Sequence, residues 1–119
     1  MSKYLLLLVL LIIFISGCVQ TSMYYWGNYS GTLYKYKKAP SDETLNKHIE
    51  SIEKIIKESD YYNKKVPPGV YCEYAYYCML EGNNEDAKKY FELEKELYPE
   101  STKFINVLLQ GMLVEKETE

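Results

Sequence analysis

Residues 68–101 read PGVYCEYAYYCMLEGNNEDAKKYFELEKELYPES, and their punctuation decides the fold. Pro67-Pro68-Gly69 is a rigid breaker whose second proline suits a first helical position. An aromatic helix is expected from Pro68 to about Glu81, with Tyr71, Tyr74, Tyr76 and Tyr77 set among Cys72, Ala75 and Cys78. Gly82 ends it, because glycine takes the left-handed backbone of a helix terminus without a Cβ penalty. Asn83-Asn84-Glu85-Asp86 caps the next helix. Its inner face is Ala87, Tyr90, Phe91, Glu94 and Leu97, and Pro99 closes it.

The flanks read the same way. Ser101 is placed to cap a last helix on which Phe104, Ile105, Leu108, Leu109, Met112 and Leu113 form a broad apolar stripe, before a charged tail at residues 115–119. On the other side, Ser41-Asp42-Glu43 opens a helix well: the hydroxyl caps free amides and the acids complement the positive helix end. Leu45, Ile49, Ile52, Ile56 and Ser59, widened by Ile55, carry that helix to about Ser59. Tyr25, Tyr29, Leu33 and Tyr36 fit a short helix from about Tyr29 to Lys38, although the alternation of Leu33, Tyr34, Lys35 and Tyr36 also fits a strand.

The positions of Ala75, Gly82, Ala87, Phe91 and Pro99 resemble a tetratricopeptide repeat. That repeat wants a small residue mid-way through its first helix, glycine at the turn, alanine and then an aromatic in its second helix, and proline at the end. Small residues let the two helices approach, and aromatics fill the wedge between repeats. Cys78 and Glu94 depart from the pattern, standing where an aromatic and a small residue are usual. One repeat cannot bury its own faces, so helices 41–59 and 101–114 are expected to act as half-repeats or caps. The expected fold is all-α: tetratricopeptide-like helical hairpins, four to five helices after an N-terminal signal helix, in a domain covering 24–114.

Ahead of that domain, Lys3 precedes an unbroken apolar run from Tyr4 to Ile15, then Ser16-Gly17-Cys18. Such a run reaches roughly 18 Å as a helix, short of the ~30 Å hydrocarbon core. A short basic region, an apolar stretch and small residues before a cleavage point are the parts of a signal peptide. Ile15-Ser16-Gly17-Cys18 resembles the bacterial lipoprotein box. The resemblance implies a signal peptide at 1–17, diacylglycerol on the Cys18 thiol, and a lipidated tether over 18–23. Two or three acyl chains hold firmly where one does not, since each buried methylene contributes about 0.8 kcal/mol. Val19, rather than aspartate, follows the cysteine, which by resemblance to Gram-negative lipoproteins leans towards the outer membrane.

The remaining inventory is mostly exclusion. The chain has 119 residues and a net charge of −3; all 14 basic residues are lysine, His48 is the single histidine, and there are 14 tyrosines. No arginine clamp for phosphate and no multi-histidine metal site can be assembled, and a mildly acidic chain without arginine is a poor nucleic-acid binder. His48 falls on the rim of the apolar stripe, where a partly buried helical histidine is the expected reading. Cys72 and Cys78 stand about 9 Å apart in rise and on different faces of one helix, too far to bridge, so free packed thiols are expected. Glu94 and Glu73, near the tyrosine-rich helix, read as carboxylates accepting phenol hydrogen bonds rather than as a general acid. No catalytic, cofactor or metal site is assigned.

Tyrosines also make partner surfaces, having large area, a polar tip and little entropy to lose. One helix cannot bury Tyr74, Tyr76 and Tyr77 on one face, so at least one should be exposed. On the repeat register Cys72, Tyr76 and Met79 face the concave side; Trp26, Tyr76 and Met79 are the candidate partner-binding residues. The chain is also similar to a family of small bacterial outer-membrane lipoproteins, a tetratricopeptide-like domain of unknown function. The similarity rests on the lipobox, Tyr25-Trp26-Gly27-Asn28-Tyr29, Leu33-Tyr34, Pro67-Pro68-Gly69, Glu73-Tyr74 with Tyr76, and Tyr98-Pro99-Glu100-Ser101. It implies a place beside a CsgG-like secretion lipoprotein. The expected function is a lipid-anchored, non-catalytic periplasmic scaffold or accessory subunit of an envelope complex, bound to the membrane and to other envelope lipoproteins and not to nucleic acid. The alternative is a peptidoglycan-binding factor or a small envelope enzyme.

Overall fold

The computed structural model describes residues 2–15 and 22–117. The expectations for Cys18, and those for the side chains of Met112 and Leu113, lie outside the described residues. Six α-helices occur among the described residues: α1 Ser2–Ile15, α2 Tyr29–Lys38, α3 Asp42–Tyr61, α4 Val70–Leu80, α5 Asn84–Leu97 and α6 Thr102–Glu117. The fold is all-α; the β-type pairing among these residues is an isolated parallel bridge between Tyr24 and Lys65. Tyr29–Lys38 is helical, so the strand alternative for that segment falls.

Apolar side chains of α1 stand exposed along residues 4–12. Among the described residues no helix is long and apolar enough to cross a membrane.

Each of α2 to α5 packs on the next in chain order, α4 on α5 most extensively. Joined by three residues and packed along each other, α4 and α5 form a helical hairpin. Ala75 and Ala87, both fully buried, let them close, and Phe91 fills the space beneath with Cys78 and Ile105 of α6. A second cluster, Ile52 and Ile55 of α3 with Val66 and Val70, takes Tyr25, Tyr29 and Tyr77 against it, and Tyr74 reaches both clusters.

Helix ends follow local chemistry, with three shifts from expectation. Ser41 and Thr44 form a reciprocal capping box at the start of α3. That helix continues past Ser59 to Tyr61, because Asn63 supplies the left-handed residue (φ 51°) and the Lys64 and Asn63 amides return to Ser59 and Asp60. At the end of α4, Gly82 (φ 77°) does the same, with amide bonds from Asn83 to Cys78 and from Gly82 to Met79. The start of α4 is later than Pro68: Gly69 is left-handed (φ 87°), so Pro67–Val70 forms a turn and the helix begins at Val70. Ser101 does not cap α6. It ends a 3-10 turn, Pro99–Ser101, and its hydroxyl donates to the Tyr98 carbonyl.

Candidate functional site

The most buried line on α3 is His48, Ile52, Ile55 and Ser59, so the stripe centres on the histidine that was expected on its rim. His48 is 0% exposed. A histidine reaches that depth only with both ring nitrogens engaged. Nδ1 lies 2.9 Å from the Thr32 hydroxyl on α2, and Nε2 lies 2.9 Å from Glu73 Oε1 on α4. The Tyr29 ring tilts against the imidazole, its centroid 5.1 Å away. Glu73 collects two phenols as well: Tyr29 donates to Oε2 at 2.6 Å and Tyr77 to Oε1 at 3.3 Å. One carboxylate therefore ties α2, α3 and α4 together.

Burial, then the Glu73 bond, lifts the Tyr29 phenol well above its ordinary range, and burial with Glu73 pushes Tyr77 up to about 12. Both phenols stay protonated and donate. The line from Thr32 through His48 to Glu73 has the order hydroxyl, imidazole, carboxylate. The imidazole itself has no exposed surface for a substrate to approach, and the Thr32 hydroxyl also lies within hydrogen-bond distance of its own helix carbonyls, Asn28 and Tyr29, at 3.1 Å each.

Glu94, 2% exposed, does a different job from Glu73. Glycine at the N-cap of α4 has no side chain with which to cap the helix, and Glu94 reaches across from α5: Oε1 accepts the Gly69 amide at 2.7 Å. Burial raises its pKa despite the amides of Gly69, Cys72 and Tyr71, which favour the charged form. Its second oxygen closes no full hydrogen bond among the described residues. The departure from the repeat pattern at position 94 is thus a helix cap supplied in trans, and it accepts an amide where a phenol was expected. Other tyrosines are spent similarly: Tyr98 donates to the Val66 carbonyl at 2.6 Å and Tyr74 to Glu53 at 2.8 Å.

Beside Glu94 lies an open groove of ≈ 610 Å³ between α4 and α6. Its walls are Pro68, Cys72, Tyr76, Tyr98, Phe104 and Leu108, and Glu73, Glu94 and Glu100 supply its carboxylates. Of the three neighbouring tyrosines, Tyr76 is the exposed one, at 42%. Phe104 is 60% exposed, against its expected place in the α6 stripe; α6 turns Ile105 into the core and leaves Phe104 a third of a turn away. The groove holds Cys72 and Tyr76 but not Met79, whose flexible chain packs against the Ala75–Phe91 cluster. Trp26, 42% exposed, lies outside the groove lining and stacks edge-on with Tyr24 and Tyr29.

Cys72 and Cys78 are both free. Burial pushes the Cys72 thiol up to about 11, the reverse of what a nucleophilic cysteine needs. Among the described residues no group of three or more histidine, cysteine, aspartate or glutamate side chains is arranged to hold a metal ion.

Residues 23–108 match the model of a family described as a domain of unknown function, DUF4810. Neither a curated protein nor a solved structure matches the chain.

Proposed function

The chain belongs to the DUF4810 family, and we propose that it is a lipid-anchored outer-membrane lipoprotein, acting without catalysis as a periplasmic scaffold or accessory subunit of a cell-envelope complex. The observation that carries this reading is the groove between α4 and α6. It presents Tyr76 and Phe104 to solvent, whereas the histidine and the buried carboxylates are committed to holding helices together. Aromatic side chains in a concave apolar wall are the usual anchors of a protein contact. Glu100, the exposed acid of the lining, favours a partner segment that combines an apolar side chain with a lysine or arginine.

In this reading the α4–α5 hairpin is a tetratricopeptide-like repeat, with α3 and α6 as its flanking half-repeats and the groove as its concave side. Lipid on Cys18, behind the exposed apolar α1, confines the protein to a membrane. Confinement raises the effective concentration of any partner on the same surface, so a modest groove affinity suffices. The resemblance to lipoproteins encoded beside a CsgG-like secretion protein makes another envelope lipoprotein the expected partner.

The alternative reading, a peptidoglycan-binding factor or envelope enzyme, would draw on Thr32, His48 and Glu73. It is disfavoured because the imidazole is sealed inside the protein.

Pull-down of the anchored protein tests the choice. Wild type should recover a second envelope lipoprotein, and Tyr76→Ala with Phe104→Ala should lose it, both side chains being exposed and dispensable to the core. Recovery of nothing, together with measurable hydrolase activity that Thr32→Val abolishes, would reverse the ranking.

A further inference from the structure

On the opposite side of α3 from α4, three lysines line a pocket of ≈ 540 Å³. Lys35 comes from α2; Lys47 and Lys54 come from α3, seven residues apart and so on one face of that helix. Lys47 is occupied by Glu43 at 2.5 Å, but among the described residues neither Lys35 nor Lys54 has an acid within ion-pair distance. Asn28 and Ser51 also line the pocket, and among the described residues neither side chain is spent on a hydrogen bond. A single acid in the lining, Glu50, leaves the pocket cationic.

Charge is also divided along the chain. Residues 24–66 hold eight lysines against six acids, and residues 67–119 hold five against eleven. The pocket is thus the concave part of the basic half, and the acidic half carries the groove.

We infer that this pocket is a binding site for a phosphate ester, with Lys35 and Lys54 as its charge-bearing residues and Asn28 and Ser51 as neutral donors. Two uncommitted ammonium groups and two free polar side chains meet the needs of a phosphate: charge from more than one direction and several hydrogen-bond donors. Two sources share this chemistry, a soluble phosphate ester and a phospholipid headgroup. The second rests on the anchor reading above, since seven residues from Cys18 to Tyr25 reach at most about 25 Å.

The test is an NMR titration of the full chain, ¹⁵N-labelled and held in neutral detergent micelles at fixed ionic strength. The Gly27, Asn28 and Thr32 amides are followed as inorganic phosphate, glycerol 3-phosphate or short-chain phosphatidylglycerol is added. Saturable shifts at these amides with the soluble probes assign a phosphate-ester site; shifts with the lipid alone assign a headgroup site. In either case the Lys35→Gln, Lys54→Gln double variant should weaken binding about tenfold or more while the remaining spectrum is unchanged. No saturable shift with any probe, or shifts of equal strength in the double variant, overturns the inference. Neither outcome depends on partner recovery through the groove.

Discussion

At the residue scale, two glutamates that look alike in the sequence have opposite tasks. Glu73 is a junction for two phenols and an imidazole, and Glu94 is a helix cap reaching in from another helix. Glu73→Ala strands three interior donors and should lower stability by about 2–3 kcal/mol in chemical denaturation. Glu94→Ala frees the amides at the start of α4 and should cost about 1–3 kcal/mol. Glu94→Gln keeps the acceptor for Gly69 and removes the buried charge. The folded state raises this carboxyl's pKa above its ordinary 4.5, so it favours folding while protonated and its contribution is lost as pH rises through the folded value. Wild type should therefore lose stability relative to Glu94→Gln as pH is raised above the ordinary carboxylate range. Cys72 should react with iodoacetamide far more slowly than an ordinary thiol at neutral pH, its rate still climbing towards pH 11. None of these partnerships is legible in the sequence as a pairing. Tyr29 and Glu73 are 44 positions apart, and His48 is missed as a core residue because a stripe centred on Ile52 and Ile56 leaves it at the rim, whereas the buried line runs through Ile52 and Ile55.

At the scale of elements, the sequence is most readable where the controlling groups are neighbours. Ser41, Gly82, Asn83 and Pro99 each act within a turn, and the ends they control fall where expected. Gly69 misleads because proline and glycine both follow Val66, and glycine's left-handed backbone delays α4 to Val70. Phe104 misleads because the α6 stripe is broader than the surface it meets: Ile105 is fully buried, Leu108 and Leu109 pack partly on the same cluster, and Phe104 is left to the groove. The α4–α5 hairpin is the strongest unit, and its keystone is Phe91, fully buried between Ala75, Ala87 and Ile105. Phe91→Ala should cost about 3–5 kcal/mol, against about 1 kcal/mol for Ser41→Ala at the capping box, by equilibrium denaturation.

At the scale of the molecule, tyrosine is both mortar and surface. Tyr98, buried, and Tyr29, Tyr74 and Tyr77, half-buried, pass their hydroxyls to acceptors, whereas Tyr34, Tyr61, Tyr62 and Tyr76 stand exposed. Only Tyr76 of the exposed four lines the groove. The anchor and the groove make separate predictions. Palmitate labelling of the whole protein should disappear in Cys18→Ala, and labelling that persists would remove the membrane from the account. The central claim, that the groove is where a partner sits, is met most directly by placing a photo-crosslinking residue at position 76 or, as control, at the exposed position 61 in intact cells. The account expects a discrete adduct with another envelope lipoprotein from position 76 and none from position 61. Equal adducts from both positions, or none from position 76 while position 61 crosslinks, would contradict it.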